Sequence, residues 1–326
     1  MSRPDVAVVI PTHNRPQLLA HSVHSVLAQR GVEVEVVVVD DGSTPDEVPD
    51  VLPRDARIRL IRHSSPRGVS TARNAGVSAS TAEWVAFLDD DDLVAPDALA
   101  AQLDQLRDNV EFRWSCVGVA LVDDDLNVIG CARTPKERDI SASILAASML
   151  TTVSGIVVSR ALFEQAGPFD RHLSCLADWD IHLRLAQLSP LASVDRPLLA
   201  YRVHSGAMSA DVEACDEEFH FLCRRYQPLR EARGVEVDRA NWEHWKEAVY
   251  LRRGLRRRAI EAAYRSAGAD GDWYRFARTV AVAVVPRAAR VRSRRQLGRV
   301  PTAWRAEAES WLASMRPPSI GDRIRS

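Results

Sequence analysis

The 326-residue chain is long enough for one large α/β domain with an appendage, or for two modest domains. Hydrophobic residues at 46% and charged residues at 27% exclude wholesale disorder, and a net charge of 43 − 44 = −1 gives no footprint of a polyanion binder. A strand-like run reached within five residues leaves no room for a secretory signal, and no stretch approaches the roughly 18 apolar residues of a membrane span, so a soluble, cytoplasmic protein is expected.

VAVVI (residues 6–10) is a continuous apolar run, the pattern of a strand buried on both faces of a parallel sheet. In the segment that follows, Leu18, Leu19, Val23, Val26 and Leu27 fall at helical spacing. EVEVVVVD (33–40) predicts a second buried strand ended by the turn cluster DGSTP, and IRLI (58–61) a third. SPRGVSTARNAGVSAS runs from a Gly-bearing loop into a helix. WVAFL (84–88) predicts a fourth strand, followed by four aspartates and a helix from about Pro96, a residue suited to a first helical turn. This order implies an α/β fold with a doubly wound, mostly parallel sheet, in which ligands bind beyond the carboxyl ends of the strands. Residues 11–14, 40–43 and 89–92 fall at those ends.

From Glu111 the pattern changes. FRWSCVGVALVDDDLNVIG predicts two strands joined by an acidic turn, GIVVS another strand, DWDIHLRLAQL a helix with Ile181, Leu185 and Leu188 on one face, and LLAYRVH a short terminal strand. From about Asp211 the chain reads as helical, with Trp242, Trp245 and Val249 three and four apart. Charge divides at the same place. Residues 1–210 carry 19 basic and 28 acidic side chains (19 − 28 = −9), and residues 211–326 carry 24 and 16 (24 − 16 = +8). We therefore expect an α/β domain over 1–210 and an Arg-rich helical extension over 211–326. The extension reads either as a helical module packed on the first part, or as an element for an anionic membrane surface through RFARTVAVAVVPRAARVRSRRQL, in which Pro286 interrupts any single long helix. Its basic residues are mixed with acids and no recognised module occurs, so no nucleic-acid partner is expected. Five cysteines, an odd number with no C-x-x-C pair, predict reduced, mostly buried thiols rather than disulfides or zinc ligands.

AFLDDDD carries the strongest chemistry. Two carboxylates about 4 Å apart repel by roughly 4 kcal/mol near a protein surface, a cost that a hard cation removes. On an extended backbone Asp89 and Asp91 point one way and Asp90 the other, making an Asp-x-Asp clamp for a metal that holds a diphosphate. VDDDLN is as acidic but lies at a hairpin tip, where water solvates it and no ligand is needed. Asp41, just past the second strand, can accept a hydrogen bond from a nucleobase imide N–H, with Gly42 and Ser43 permitting the close turn. Arg73 can neutralise phosphate or contact a base. Neither a Walker-type loop nor G-x-G-x-x-G follows the first strand, which argues against those phosphate and dinucleotide sites.

Together VVIPTHNRPQLL, VVVVDDGS, GVSTARNAG, FLDDDD with PDAL, GPFD and LADWDIHLRL resemble the inverting family-2 glycosyltransferases of GT-A fold, in that family's order, over residues 4–209. The resemblance implies that Pro11, Thr12, His13 and Asn14 line the nucleobase and that Asp41, Arg73, Asp89 and Asp90 contact the nucleotide. It implies further that Asp91 and Asp89, with His204, hold Mn2+ or Mg2+, and that Asp178 is the general base. Ala177 stands where the family has Glu, which leaves the orientation of Asp178 to be determined by other contacts. The implied reaction moves a sugar, with inversion, from a nucleotide-diphosphate donor to a hydroxyl of a glycan, lipid-linked sugar, protein or small molecule. Asp180 is the runner-up base, and Trp179 either stacks on a sugar or fills core. A catalytically silent nucleotide- or sugar-binding protein on the same fold is the alternative.

Overall fold

The computed structural model describes residues 3–43, 47–204, 211–284 and 300–316. In chain order the elements are β1 (Val6–Thr12), α1 (Pro16–Leu27), β2 (Val34–Asp40), α2 (Glu47–Val51), β3 (Ile58–Arg62), α3 (Val69–Ala79), β4 (Trp84–Phe87), β5 (Leu93–Val94), α4 (Ala98–Asp108), β6 (Trp114–Val122), β7 (Val128–Ala132), α5 (Ser143–Ala146), β8 (Ile156–Ser159), α6 (Arg160–Ala166), α7 (Ala177–Ala186) and β9 (Leu191–Arg202). Helices alone follow among the described residues: α8 (Val212–Arg225), α9 (Gln227–Arg233), α10 (Arg239–Arg252), α11 (Arg256–Asp270), α12 (Trp273–Val284) and α13 (Thr302–Met315).

The sheet runs β3-β2-β1-β4-β8-β6-β9-β5, with β7 on β6. It is parallel from β3 through β4, turns antiparallel across β8, and is parallel again where β6 meets β9. Strict alternation divides the strand residues between two cores. Val9, Val37, Val39, Val85 and Phe87 face α3 and α7, while Val8, Ile10, Val36, Val38 and Ala86 face α1 and α4. Each fully buried aliphatic side chain contributes about 1.5–3 kcal/mol, so burying both faces of these valine-rich strands is a main source of the sheet's stability. α3 lies close against them because Gly76 has no side chain: a Cβ there would sit 2.3 Å from Val9 Cγ1. Gly76→Ala is therefore expected to cost about 1–3 kcal/mol by overpacking. Urea unfolding checks this, and an unchanged midpoint would show that the α3 contact yields freely.

Three expectations are corrected. The helix after the aspartates starts at Ala98, not Pro96, because the backbone stays extended to pair Leu93 and Val94 with β9 and to donate the Ala95 N–H to Leu198. The terminal strand β9 is twelve residues rather than a short LLAYRVH. Its exposed Asp195–Arg196 and irregular register against β6 interrupt the apolar pattern that would have marked its start. Finally, Cys175 and Cys215 form a disulfide, with Cα atoms 5.4 Å apart; Cys116, Cys131 and Cys223 are free. That pairing comes from α8 docking on the loop before α7, which neither an odd cysteine count nor a 40-residue separation reveals.

The chain after 211 does not stay apart from the sheet. α13 returns to it, burying Trp304, Ala308 and Leu312 against β5, β6, β7 and β9, with Trp311 donating to the Pro197 carbonyl. Among the described residues no helix is long and apolar enough to cross a membrane. The arginine cluster 287–297 and Pro286, on which the membrane-surface reading leans, lie outside the described residues.

Candidate active site

β4 ends at Phe87, and the backbone then turns, with the Asp92 N–H donating to the Asp89 carbonyl at 3.1 Å. The extended alternation expected for Asp89 to Asp91 is thereby lost, and each carboxylate meets different partners. Asp90 accepts from Thr12 Oγ1 at 2.7 Å, and Arg15 Nη1 reaches Asp90 at 3.3 Å and Asp91 at 2.9 Å. His204 Nε2 lies 2.9 Å from Asp91 Oδ2. Asp92 is fully buried behind them and takes the Arg202 N–H at 3.2 Å.

Four adjacent acids in one turn leave an electrostatic excess. Burial, then the charge of Asp91, pushes Asp90 up to about 7. Burial raises Asp92 well above the carboxylate range, with Asp91 and Asp89 adding to it. Burial also raises Asp89, against the opposing pull of Arg73. At Asp91 the burial effect is outweighed by His204 and Arg15, and its carboxyl is held low. The member of the set whose carboxyl is held low is thus the one that meets an imidazole.

Arg73 binds the acid turn to the other wall of the site. Its guanidinium, 1% exposed, donates to Asp89 Oδ1 at 2.6 Å and to Asp178 Oδ1 at 3.0 Å. It is no surface arginine. Asp178 sits in the first turn of α7, and its second oxygen accepts the Val153 N–H at 2.8 Å. Glu218 of α8 caps the same helix start, accepting from the N–H groups of Ser174, Cys175 and Leu176 and from the Ser174 hydroxyl. A carboxylate at a helix N-terminus is favourable. Glu218 and the Cys175–Cys215 bridge therefore orient this turn although Ala177 carries no acid.

At the opposite end, Asn14 takes a left-handed φ of 55°, and its N–H donates to Ser43 Oγ at 2.9 Å, joining the β1 and β2 termini. His13 Nδ1 lies 2.9 Å from the Asp41 carbonyl oxygen. Gly42 has φ 73°, and a Cβ there would sit 2.7 Å from the Pro66 nitrogen. The Asp41 carboxylate already accepts the N–H groups of Arg67 and Gly68 and contacts His63 at 2.7 Å. A nucleobase N–H would share it with the chain's own loop.

One cavity of about 780 Å³ collects the strand-end and acid-turn groups. Pro11, Thr12, His13, Asp41, Arg73, Asp89, Asp90, Asp91, Asp178 and His204 line it; Asn14 does not and acts through the backbone behind His13. Asp180 is fully buried and held by Arg184 and Tyr226, a structural ion pair rather than a base. Trp179 is buried, with its indole N–H on the Ile144 carbonyl. VDDDLN forms the β6–β7 hairpin, Asp123 accepting from its own turn. Arg15 and Glu218 were given no role by the sequence, and Asp92 was placed at the strand end without one. Arg15 and Asp92 lie inside named motifs, whereas nothing local in the sequence marks Glu218.

The acid turn fits a divalent cation in one respect. Among the described residues no three His, Cys, Asp or Glu groups form a ready cage. The Asp91 carboxylate and His204 imidazole do converge beside carboxyls raised by burial and, secondarily, by their acidic neighbours, and ions of this class complete their shell with substrate phosphate oxygens.

Comparison with known proteins follows this geometry. Residues 7–128 match the family model described as glycosyl transferase family 2. The chain is 35% identical over 168 residues to the succinoglycan biosynthesis protein ExoO of Rhizobium meliloti, covering 51% of this chain and 45% of that relative, so it spans under half of that protein. It is 30% identical over 231 residues to an uncharacterized glycosyltransferase of Nostoc sp., covering 65% of this chain and 70% of the relative. The fold resembles the crystal structure of S. aureus TarS 1-349 in complex with UDP-GlcNAc, with TM-score 0.54 and 14% identity over 96% of this chain and 82% of that one.

Proposed function

The chain belongs to glycosyl transferase family 2 and is a glycosyltransferase, and from that premise we propose that it transfers a sugar, with inversion and with help from Mn2+ or Mg2+, from a nucleotide-diphosphate donor to an acceptor hydroxyl during glycan or glycoconjugate synthesis. One observation carries the reading: Asp89, Asp91 and Asp178, up to 89 positions apart, line a single cavity together with the β1 and β2 ends. A uridine diphosphate sugar is the donor class this favours, since a fold of the same kind holds UDP-GlcNAc in TarS. Polysaccharide assembly is the context favoured by the likeness to the succinoglycan protein.

In this reading Pro11, His13 and Asp41 take the base end of the donor, and Asp91 and His204, with Asp89 beside them, hold the cation. When bound, the cation supplies positive charge to the diphosphate oxygens as the glycosidic bond lengthens. Arg73 holds Asp178 through Oδ1 and the Val153 N–H fixes Oδ2. The carboxylate so positioned takes the proton of the attacking hydroxyl. Glu218 keeps the α7 start in place while it does so.

A panel of nucleotide sugars scored by thermal shift, with and without Mn2+, tests the donor and metal together. At about 100 times Kd a ligand adds about 2.7 kcal/mol, which raises Tm by several degrees. We expect that rise with one nucleotide class and only with the metal, and we expect Asp91→Asn to remove it. An equal rise in chelator would discard the metal role of Asp91 and His204.

A further inference from the structure

Beyond the residues assigned to the donor, the cavity has an aromatic wall. Starting at Trp179, next to Asp178, the rings of Trp179, Phe219, Trp242 and Trp245 stack in sequence. Their centroids are 6.0, 4.4 and 4.6 Å apart, and their planes lie within 17° of parallel at each step. The first three rings are held: Trp179 donates to the Ile144 carbonyl, Trp242 donates to Asp216 at 2.7 Å, and Phe219 is buried between them. Trp245 ends the ladder. It lines the cavity, is only partly buried, and its indole N–H makes no hydrogen bond to the described residues. The side-chain amide of Asn241 and the guanidinium of Arg252, both exposed and both on the cavity wall, likewise make no hydrogen bond or ion pair to the described residues.

We propose that this end of the cavity, with Trp245 as the platform and Asn241 and Arg252 at its edge, is a subsite for a saccharide acceptor. A pyranose ring has C–H groups on its faces and hydroxyls around its rim. A flat ring flanked by hydrogen-bonding groups that the described residues leave available matches that distribution, whereas a lipid chain would use the ring and none of the three polar groups. The ladder begins beside Asp178 and ends at Trp245, so an acceptor of more than one sugar unit, held on Trp245, extends along the cavity toward the proposed base. These residues come from α10, in the extension, and therefore give residues 211–326 a share in choosing the acceptor. The inference rests on the glycosyl-transfer reading above.

Saturation-transfer NMR on the full chain tests it, with Mn2+ and UDP occupying the donor end and methyl β-glucopyranoside, methyl β-galactopyranoside and cellobiose as probes. At least one sugar is expected to receive saturation on its ring C–H protons. Trp245→Ala should weaken that binding about tenfold, the size of one aromatic contact, while the UDP-dependent thermal shift stays. Trp273→Ala, exposed on α12 and away from the cavity, should change neither. Trp245→Phe, which keeps a ring face and loses the N–H, should fall between wild type and Ala, and with Arg252→Ala it carries the test if Trp245→Ala does not fold. Saccharide binding indifferent to these changes overturns the proposal, as does no saccharide binding at all. Absence of the UDP shift in the wild type would instead strike the donor reading.

Discussion

Asp178→Asn is expected to lower kcat by about 10²–10⁴-fold, the usual contribution of a positioned general base, while leaving the metal-dependent thermal shift with donor in place. The expectation follows from position. Asp178 touches the cavity from the first turn of α7, its two oxygens are aimed by Arg73 and by the Val153 N–H, and Asp180, the other acid of that turn, is locked in an ion pair with Arg184. Asparagine keeps the shape and one acceptor oxygen, so the Val153 contact survives, but it cannot take a proton. Turnover is read as nucleoside diphosphate release with a matched donor and acceptor. A variant that turns over at the wild-type rate would remove Asp178 from the mechanism. One that loses both turnover and donor binding would make it a structural partner of Arg73.

Arg73→Met should be the most destabilising single change in the site. It leaves Asp89 and Asp178 without their shared cation, and removing one partner of a buried ion pair costs about 3–5 kcal/mol. The two carboxylates keep side-chain exposures of 21% and 26%, so water screens part of the loss and the lower end of that range applies. About 3 kcal/mol corresponds to a Tm drop of roughly 6–12 °C for a domain of this size. Arg73→Lys should fall in between, because an ammonium is a point charge and cannot span both carboxylates as the planar guanidinium does. Calorimetry on the three proteins orders them. Equal Tm values would mean the Arg73 bridge does not hold the acid turn to α7.

The bridge also shows where sequence reading stops. That Arg73 is charged and lies on a helix after a Gly-bearing loop is evident from GVSTARNAG. That it is nearly inaccessible and shared between acids 16 and 105 residues away is not. The Asp-x-Asp geometry was misjudged for a similar reason. Alternation holds only while a strand lasts, and β4 ends before the first aspartate. The disulfide and the Glu218 cap went unseen because both depend on α8 lying across the loop before α7. Local pattern says only that α8 is a helix.

Continuous valine runs, alternating strands and helices, and acidic groups placed just after strands were enough to determine the α/β sheet, the rim on which the site lies and the family. Those features are set by short-range periodicity and by the need to bury both faces of central strands. Tertiary structure decided which acid is held low, which are pushed up by burial, which are paired and which line the cavity, along with the aromatic wall that α8 and α10 add. Those outcomes depend on burial and on charges brought within about 3 Å by folding, and separation along the chain carries no record of either.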